Sequence, residues 1–428
     1  MSSSRLRRTT IVAGLAAQTF LVATIVFSAR SGAAPSTVTI ALGVSFVPYV
    51  ATVWACGGWL DRAQGLRIAL GSLAVMGAAL IFAPPVLSDD VYRFVWEGRL
   101  WGHGFNPYRL PPDASAVSGL RDSVWESINN KPLASIYPPL SQALFFLIEL
   151  SGGGVVAAKV LALGGHLAST VAVARLSTDP RAPLLIALNP LLLSAAALDG
   201  HFDLWVGLAI VLAAWGIGRH RAMQAAVAAL VAVGLKVVGL VLAPLFLRTP
   251  RALVVFALGS VALLMPMLVY RPANDATSGA VQFAERWQGN ESLFAGVDWL
   301  ARQALSEEQA MLVARIVVIT LVFTVGLLVS RRHTPAMQGA RIIVWATLLL
   351  SPQVHPWYLA WLLPLEVAAG RFAGIVWSAA ALVAYAPLDR WVADGIWEPT
   401  PTLHLLEYLL VALALLLDRG HSAPPKHQ

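Results

Sequence analysis

The chain has 428 residues, of which 57% are hydrophobic and 12% charged, with a mean hydropathy of +0.69; this composition excludes an ordinary soluble domain and implies an integral membrane protein. The net charge of +7 sits largely on arginines between apolar runs, so it reports orientation in a bilayer and gives no reason to expect a nucleic-acid partner. One cysteine, Cys56, excludes an internal disulfide and any multi-cysteine metal centre.

Apolar runs near the roughly 20 residues that a helix needs to cross hydrocarbon recur along the chain, without the alternation of a membrane barrel. The expected fold class is therefore an all-α polytopic membrane protein, a single integral membrane domain over 1–428. The first ten residues, MSSSRLRRTT, precede an apolar run with no convincing small-residue cleavage site, which reads as a retained first helix. Spans are expected at 11–28, 38–58, 66–84, 155–174, 182–198, 202–217, 252–270, 311–330, 341–353, 356–369, 372–388 and 404–418. Two further segments are irregular: 138–151 is short, and 222–247 is long but carries Gly234, Lys236 and Gly239 at its middle. Together they give a bundle of about 12–14 helices.

Placing Arg5, Arg7 and Arg8 in the cytoplasm makes the third helix emerge outside, so that 85–137 becomes a large external loop and 271–310 a second one. Arg62 and Arg67, Arg219 and Arg221, Arg248 and Arg251, Arg331 and Arg332, and Arg371 then fall inside. For Arg221 and Arg248 to share that side, 222–247 must enter and return as two half-helices meeting near Lys236. For Arg175 and Arg181 to share it, 138–174 must cross once, leaving 138–151 half-embedded. The expected location is the inner or plasma membrane, with the N-terminus cytoplasmic and the site outside.

With this orientation the unusual polar groups converge. The first external loop carries Asp89, Asp90, Arg93, Glu97 and Arg99; the turn LDGHFD carries Asp199, His201 and Asp203; the break GLK carries Lys236; and SPQVHPWYLAW carries His355 and Tyr358. Ionisable groups at membrane depth are costly and mark substrate paths or sites, and broken helices are tolerated where they line a cavity. If 89–100 is helical, Asp90, Arg93 and Glu97 lie on one face. The alternative for SDD is a helix N-cap. The trio Asp199, His201 and Asp203 could hold a divalent ion, but a turn cap explains the same residues, so neither metal nor cofactor is assigned. Tyr92, Trp96, Trp101 and Tyr108 suit an amphipathic helix lying on the membrane, or a sugar ring or prenyl chain stacked on them.

The ordered pieces SDDVYRFVWEGR, GFNPY, IYPPLSQ (with Tyr137), LNPLLLSAAALDGHFD and SPQVHPWYLAWLLPL cover about 85–370. In this order they resemble the polytopic GT-C glycosyltransferases, in particular the bacterial polyprenol-phosphate-mannose-dependent mannosyltransferases. The resemblance implies a GT-C-like bundle with amphipathic helices in its first external loop. It also implies a polyprenyl-phosphate sugar donor, with mannose as the sugar, and a lipid-linked or cell-envelope glycan acceptor. A catalytic aspartate in the first loop is implied as well; the family pattern puts it two residues before YR, at Asp90, with Asp89 orienting the acceptor or supporting the loop.

Chemistry asks for the same residue types. Inverting glycosyl transfer needs a base for the acceptor hydroxyl proton. It also needs fixed cations or donors aimed at the leaving phosphate. Lys236, central in its apolar segment where a snorkelling lysine would lie at an end, leads that second role, with Arg93, Arg99 and His355 as alternates. The remaining candidates for contact with substrate are Glu97, Tyr137, Asp199, His201, Asp203 and Tyr358. Two other functions fit parts of the pattern: a transporter or flippase of a lipid-linked sugar, against which stands the absence of a visible internal repeat, and an assembly protein, which would not need these charges on one side.

Overall fold

A computed structural model describes residues 3–272 and 274–419. Among them all regular structure is helical apart from one isolated bridge between Gly289 and Gln353. Among the described residues seven helices are long and apolar enough to cross a membrane: Ser4–Arg30, Pro35–Cys56, Arg62–Ile81, Gly154–Leu176, Pro250–Val269, Glu307–Arg331 and Pro401–Asp418. Side chains such as Leu258, Val261, Leu268, Ile319 and Leu416 lie exposed on them, as expected where lipid is the solvent and each helix satisfies its own backbone. The protein is an all-α, multi-pass membrane protein.

The remaining expected spans fall on shorter elements, each broken for a local reason. At 182–198 the Ala182–Ala187 helix stops before Pro190, which has no amide to continue the ladder; the Asn189 side chain accepts from the Leu192 amide and restarts a turn, which runs into a π-turn over Ser194–Leu198. The 341–353 span is the 15-residue helix Ala336–Leu350, ended before Pro352. Residues 356–369 form a 3-10 turn, Pro356–Trp361, followed by a short helix, Leu363–Ala368, and 372–388 likewise divides into Ala373–Ala380 and Ala381–Tyr385.

The break expected near Lys236 is present. Ala222–Leu235 ends at Lys236, whose backbone is extended at φ −149°, and a 3-10 run, Val237–Phe246, follows. Gly239 lies so close to the backbone of Ala232 and Val233 that a Cβ there would collide with it, so the second arm folds back on the first. The arginine turns also group. Arg7 donates to the Gly57 carbonyl and Arg62 to the Ser177 carbonyl at 2.8 Å, bringing the turns around residues 57–62 and 177–181 to one end of the bundle. Arg248 similarly reaches the Ser330 carbonyl and His333, so that the turns at 248 and 330–333 share an end.

At the other end lie the two long loops. In the first, the helix Asp90–Gly102 buries Val91, Phe94, Val95, Trp96 and Leu100, and Trp96 and Leu100 form a small core with Val117 and Ile128. Pro139–Leu150 packs along this helix, with Gly98 admitting the Phe145 carbonyl. The 271–310 loop, of which Ala273 lies outside the described residues, joins two parts of the site. The Ala134 amide donates to the Thr277 carbonyl at 2.8 Å, and Gly289 exchanges backbone bonds with Pro352 and Val354 at 3.1 and 2.9 Å. It thereby ties the first loop to the segment bearing His355.

The helix Asp203–Gly218 carries both a site carboxylate and the contact that seats the His355 segment. Gly207 meets the Ala360 carbonyl, where a Cβ would collide with rigid backbone, whereas Gly218 has open space. Gly207→Ala is expected to destabilise the protein by about 1–3 kcal/mol through overpacking, while Gly218→Ala is neutral or slightly stabilising. Thermal denaturation in detergent checks this, and equal midpoints for the two variants would contradict it.

Candidate functional site

The centre of the site is an ion pair inside the apolar bundle. Lys236, freed from helical geometry by the chain break, extends Nζ to Asp203 Oδ1 at 2.8 Å. Asp203, 1% exposed at the start of its helix, also accepts from Trp361 Nε1 at 2.7 Å. Three rings surround the ammonium, with centroids at 4.9 Å for Tyr358 and 5.6 Å for both Phe202 and Trp361. A lone charge at such depth is prohibitive, and the carboxylate and the ring faces together make it tolerable. The Lys236 side chain keeps 16% of its surface accessible.

His355 and His201 bracket Trp357, stacked at 4.3 and 3.8 Å. His355 is partly exposed and exchanges a 2.7 Å bond with Gln353, whereas His201 is buried behind it with neither ring nitrogen hydrogen-bonded, its Nδ1 4.0 Å from Asp203 Oδ2. Tyr358 packs edge-on against His355 and stacks on Trp361 at 4.2 Å. Tyr137 is buried against Phe94 and Phe145.

Asp90 opens the first turn of its helix opposite this cluster, within electrostatic reach of Tyr137, Asp203 and Tyr358. Neither Asp89 nor Asp90 spends its carboxylate on an N-cap. The cap residue Asp89 makes no side-chain capping bond, and the two carboxylates instead share the Asn129 amide, at 2.5 and 3.0 Å. Both are partly exposed. The structure thus brings Asp89, Asp90, Lys236, His355 and Tyr358 to one accessible surface, with Asp203, His201 and Tyr137 behind it.

The other candidates are spent on the scaffold. Arg93 pairs with Glu97 at 2.9 Å and donates to the carbonyls of Asn129, Asn130 and Leu133, fastening the loop that carries Asn129. The second Glu97 oxygen accepts from Ser135 and Gln142, both at 2.6 Å. Arg99 pairs with Asp122 at 2.8 Å and binds the Leu120 carbonyl. Asp199 is buried and turned to backbone amides of the first loop. Asp203 Oδ2 lies 4.0 Å from His201 Nδ1 but Asp199 is turned to the loop amides, so the trio does not converge on one point, and among the described residues no group of three or more His, Cys, Asp or Glu side chains is placed to hold a metal. Sequence reading passed over Asn129, Trp357 and Trp361. The two tryptophans lie inside the quoted HPWYLAW motif, but Asn129 carries no local signal.

Residues 8–250 match the family described as alpha-(1->6)-mannopyranosyltransferase, N-terminal domain. No curated protein and no solved structure gives a match. The matched stretch contains Asp89, Asp90, Asp203 and Lys236; His355 and Tyr358 lie beyond it.

Burial, and then the neighbouring Asp90 charge, raise the Asp89 carboxyl to about 6 against the opposing Asn129 bond. The folded protein holds that proton more tightly than the unfolded chain. The carboxylate therefore costs stability that grows as pH rises from the ordinary carboxyl value to about 6 and is constant above it. Asp89→Asn, which keeps an oxygen for Asn129, is expected to melt above wild type at neutral pH and to converge with it at acidic pH. Melting curves across that range decide; a gap independent of pH would contradict the assignment.

Proposed function

The chain belongs to the alpha-(1->6)-mannopyranosyltransferase family, and on that premise we propose that it transfers mannose from a polyprenyl-phosphate donor to a lipid-linked or cell-envelope glycan, with inversion at the anomeric carbon. That it is a membrane mannosyltransferase follows from the family and the apolar helices; the donor, acceptor and residue roles are our reading. An α-(1→6) product made by inversion requires a donor whose phosphate is β-linked.

In the proposed step the acceptor 6-hydroxyl oxygen attacks the anomeric carbon while Asp90 takes its proton. The bond from that carbon to the phosphate oxygen breaks, and its electron pair leaves with polyprenyl phosphate. General-base assistance of this kind contributes about 10²–10⁴-fold. Lys236 neutralises the phosphate charge, Asp203 and Trp361 hold Lys236 at the correct depth, and His355 and Tyr358 supply nearby donors. Asp89, sharing Asn129 with Asp90, orients the acceptor. A membrane-bound donor suits a cation set within the bundle beside apolar surface, and basic turns grouped away from the site support an extracytoplasmic reaction.

The observation that carries the reading is a partly exposed carboxylate, Asp90, free of capping duty and within electrostatic reach of Asp203, the partner of a lysine held in the bundle. In nanodiscs supplied with polyprenyl-phosphate mannose and a panel of glycolipid acceptors, wild type is expected to transfer mannose and Asp90→Asn to do so about 10²–10⁴-fold more slowly. Equal rates would reject Asp90 as base. Transfer from a nucleotide-linked mannose alone would reject the donor, and translocation of the lipid-linked sugar without transfer would replace the enzyme with a transporter.

A further inference from the structure

The backbone leading into Asp89 and Asp90 has no regular structure of its own. Residues 83–89 are neither helix nor strand, and Pro84 and Pro85 have no amide to donate. Two side chains from other parts of the bundle fix this stretch. Lys159, on the Gly154–Leu176 helix and 0% exposed, donates from Nζ to the Ala83 carbonyl at 2.5 Å. Asp199, following the π-turn, accepts on Oδ1 from the amides of both Val86 and Leu87 at 3.0 Å. Lys159 and Asp199 also lie within electrostatic reach of each other. Beside them Gly200, at φ +76°, presses on the turn that carries Asp90; a Cβ there would lie 2.7 Å from Val91 Cγ2.

A fully buried lysine in a membrane helix is costly to keep. Packing would be served better by an apolar residue of the same length, so a specific demand for a charged donor accounts for Lys159 where packing alone does not. We infer that Lys159 and Asp199 form a two-sided clamp on the 83–87 backbone that sets the position of Asp90, making both of them positioning residues for the transfer reaction. The inference rests on the reading of Asp90 as base. It moves Asp199 away from substrate contact, and it gives Lys159, which no motif singled out, a role in the rate. The clamp fixes an approach without regular structure that leads to a carboxylate required to meet one hydroxyl, and misplacement by about 1 Å costs on the order of 10²-fold in such a geometry.

The test is the neutral, near-isosteric pair Lys159→Met with Asp199→Asn, in which the asparagine oxygen still accepts from the amides but no charge is left uncompensated. Mannose transfer in nanodiscs is expected to lose about 10- to 100-fold in kcat per folded molecule, with donor KM unchanged and the melting temperature close to wild type. Combined with Asp90→Asn, the pair is expected to cost nothing further, because the group it positions is already disabled. Lys159→Arg, whose guanidinium still reaches a carbonyl, is expected to recover most of the rate. If the double variant does not accumulate, Gly200→Ala is read by the same criteria. An unchanged kcat, or the full loss repeated in the Asp90→Asn background, overturns the clamp alone. A fully active Asp90→Asn protein overturns the base reading, and the clamp with it.

Discussion

An ammonium and a carboxylate 2.8 Å apart within an apolar bundle, Lys236 and Asp203, set the terms for the rest of this structure. Neither charge is tolerable alone in such surroundings, and removing one partner strands the other. Bringing them together requires the chain to break at Lys236, where an intact helix would hold the side chain to its own face. The break in turn requires Gly239 to let the second arm fold back, and Trp361 to satisfy the carboxylate from a third segment. Three separate stretches, those of Asp203, Lys236 and Trp361, are thereby locked to one point, and the rings of Phe202, Tyr358 and Trp361 close around it.

The two long loops complete the surface by reaching toward each other. The Asp90–Gly102 helix is held against Pro139–Leu150 by apolar packing, while Arg93 and Glu97 fasten the stretch that brings Asn129 to the two aspartates. The second loop contributes backbone, through Thr277 to Ala134 on one side and Gly289 to Pro352 and Val354 on the other. Division of labour follows: residues with open surface, namely Asp89, Asp90, Lys236, His355 and Tyr358, are available to a substrate, and those behind them hold their positions. In the proposed transfer the carboxylate and the cation lie on opposite sides of the reacting carbon, as inversion demands.

Much of this was legible in the residues. A lysine amid an apolar run with glycines on both sides announced the broken helix at 222–247, because a continuous span has no use for either. The grouping of Asp90, Asp203, Lys236 and His355 followed from the cost of charge at membrane depth and needed no knowledge of contacts. The all-helical class followed from composition. Other features were hidden. The spacing of Arg93 and Glu97 put them on one face with Asp90, but whether they meet a sugar or a loop depends on the carbonyls of residues 129–133, about 40 positions away. Asp199 and Asp203 look equivalent in LDGHFD, yet one faces amides of the first loop and the other a lysine. Hydropathy also counted 182–198 and 372–388 as single spans, because it measures apolar length and is blind to Pro190, the π-turn and the 3-10 turns that divide them.

The most direct test of the central claim measures affinity for the leaving group. Replacing Lys236 by Met together with Asp203 by Asn removes the cation without stranding its partner. Binding of polyprenyl phosphate to the protein in nanodiscs is then compared with wild type. Loss of a charge-assisted bond worth about 1.5–3 kcal/mol predicts a Kd weaker by roughly 10- to 150-fold. An unchanged Kd in a folded double variant would contradict the account, because the ion pair would then serve only the fold.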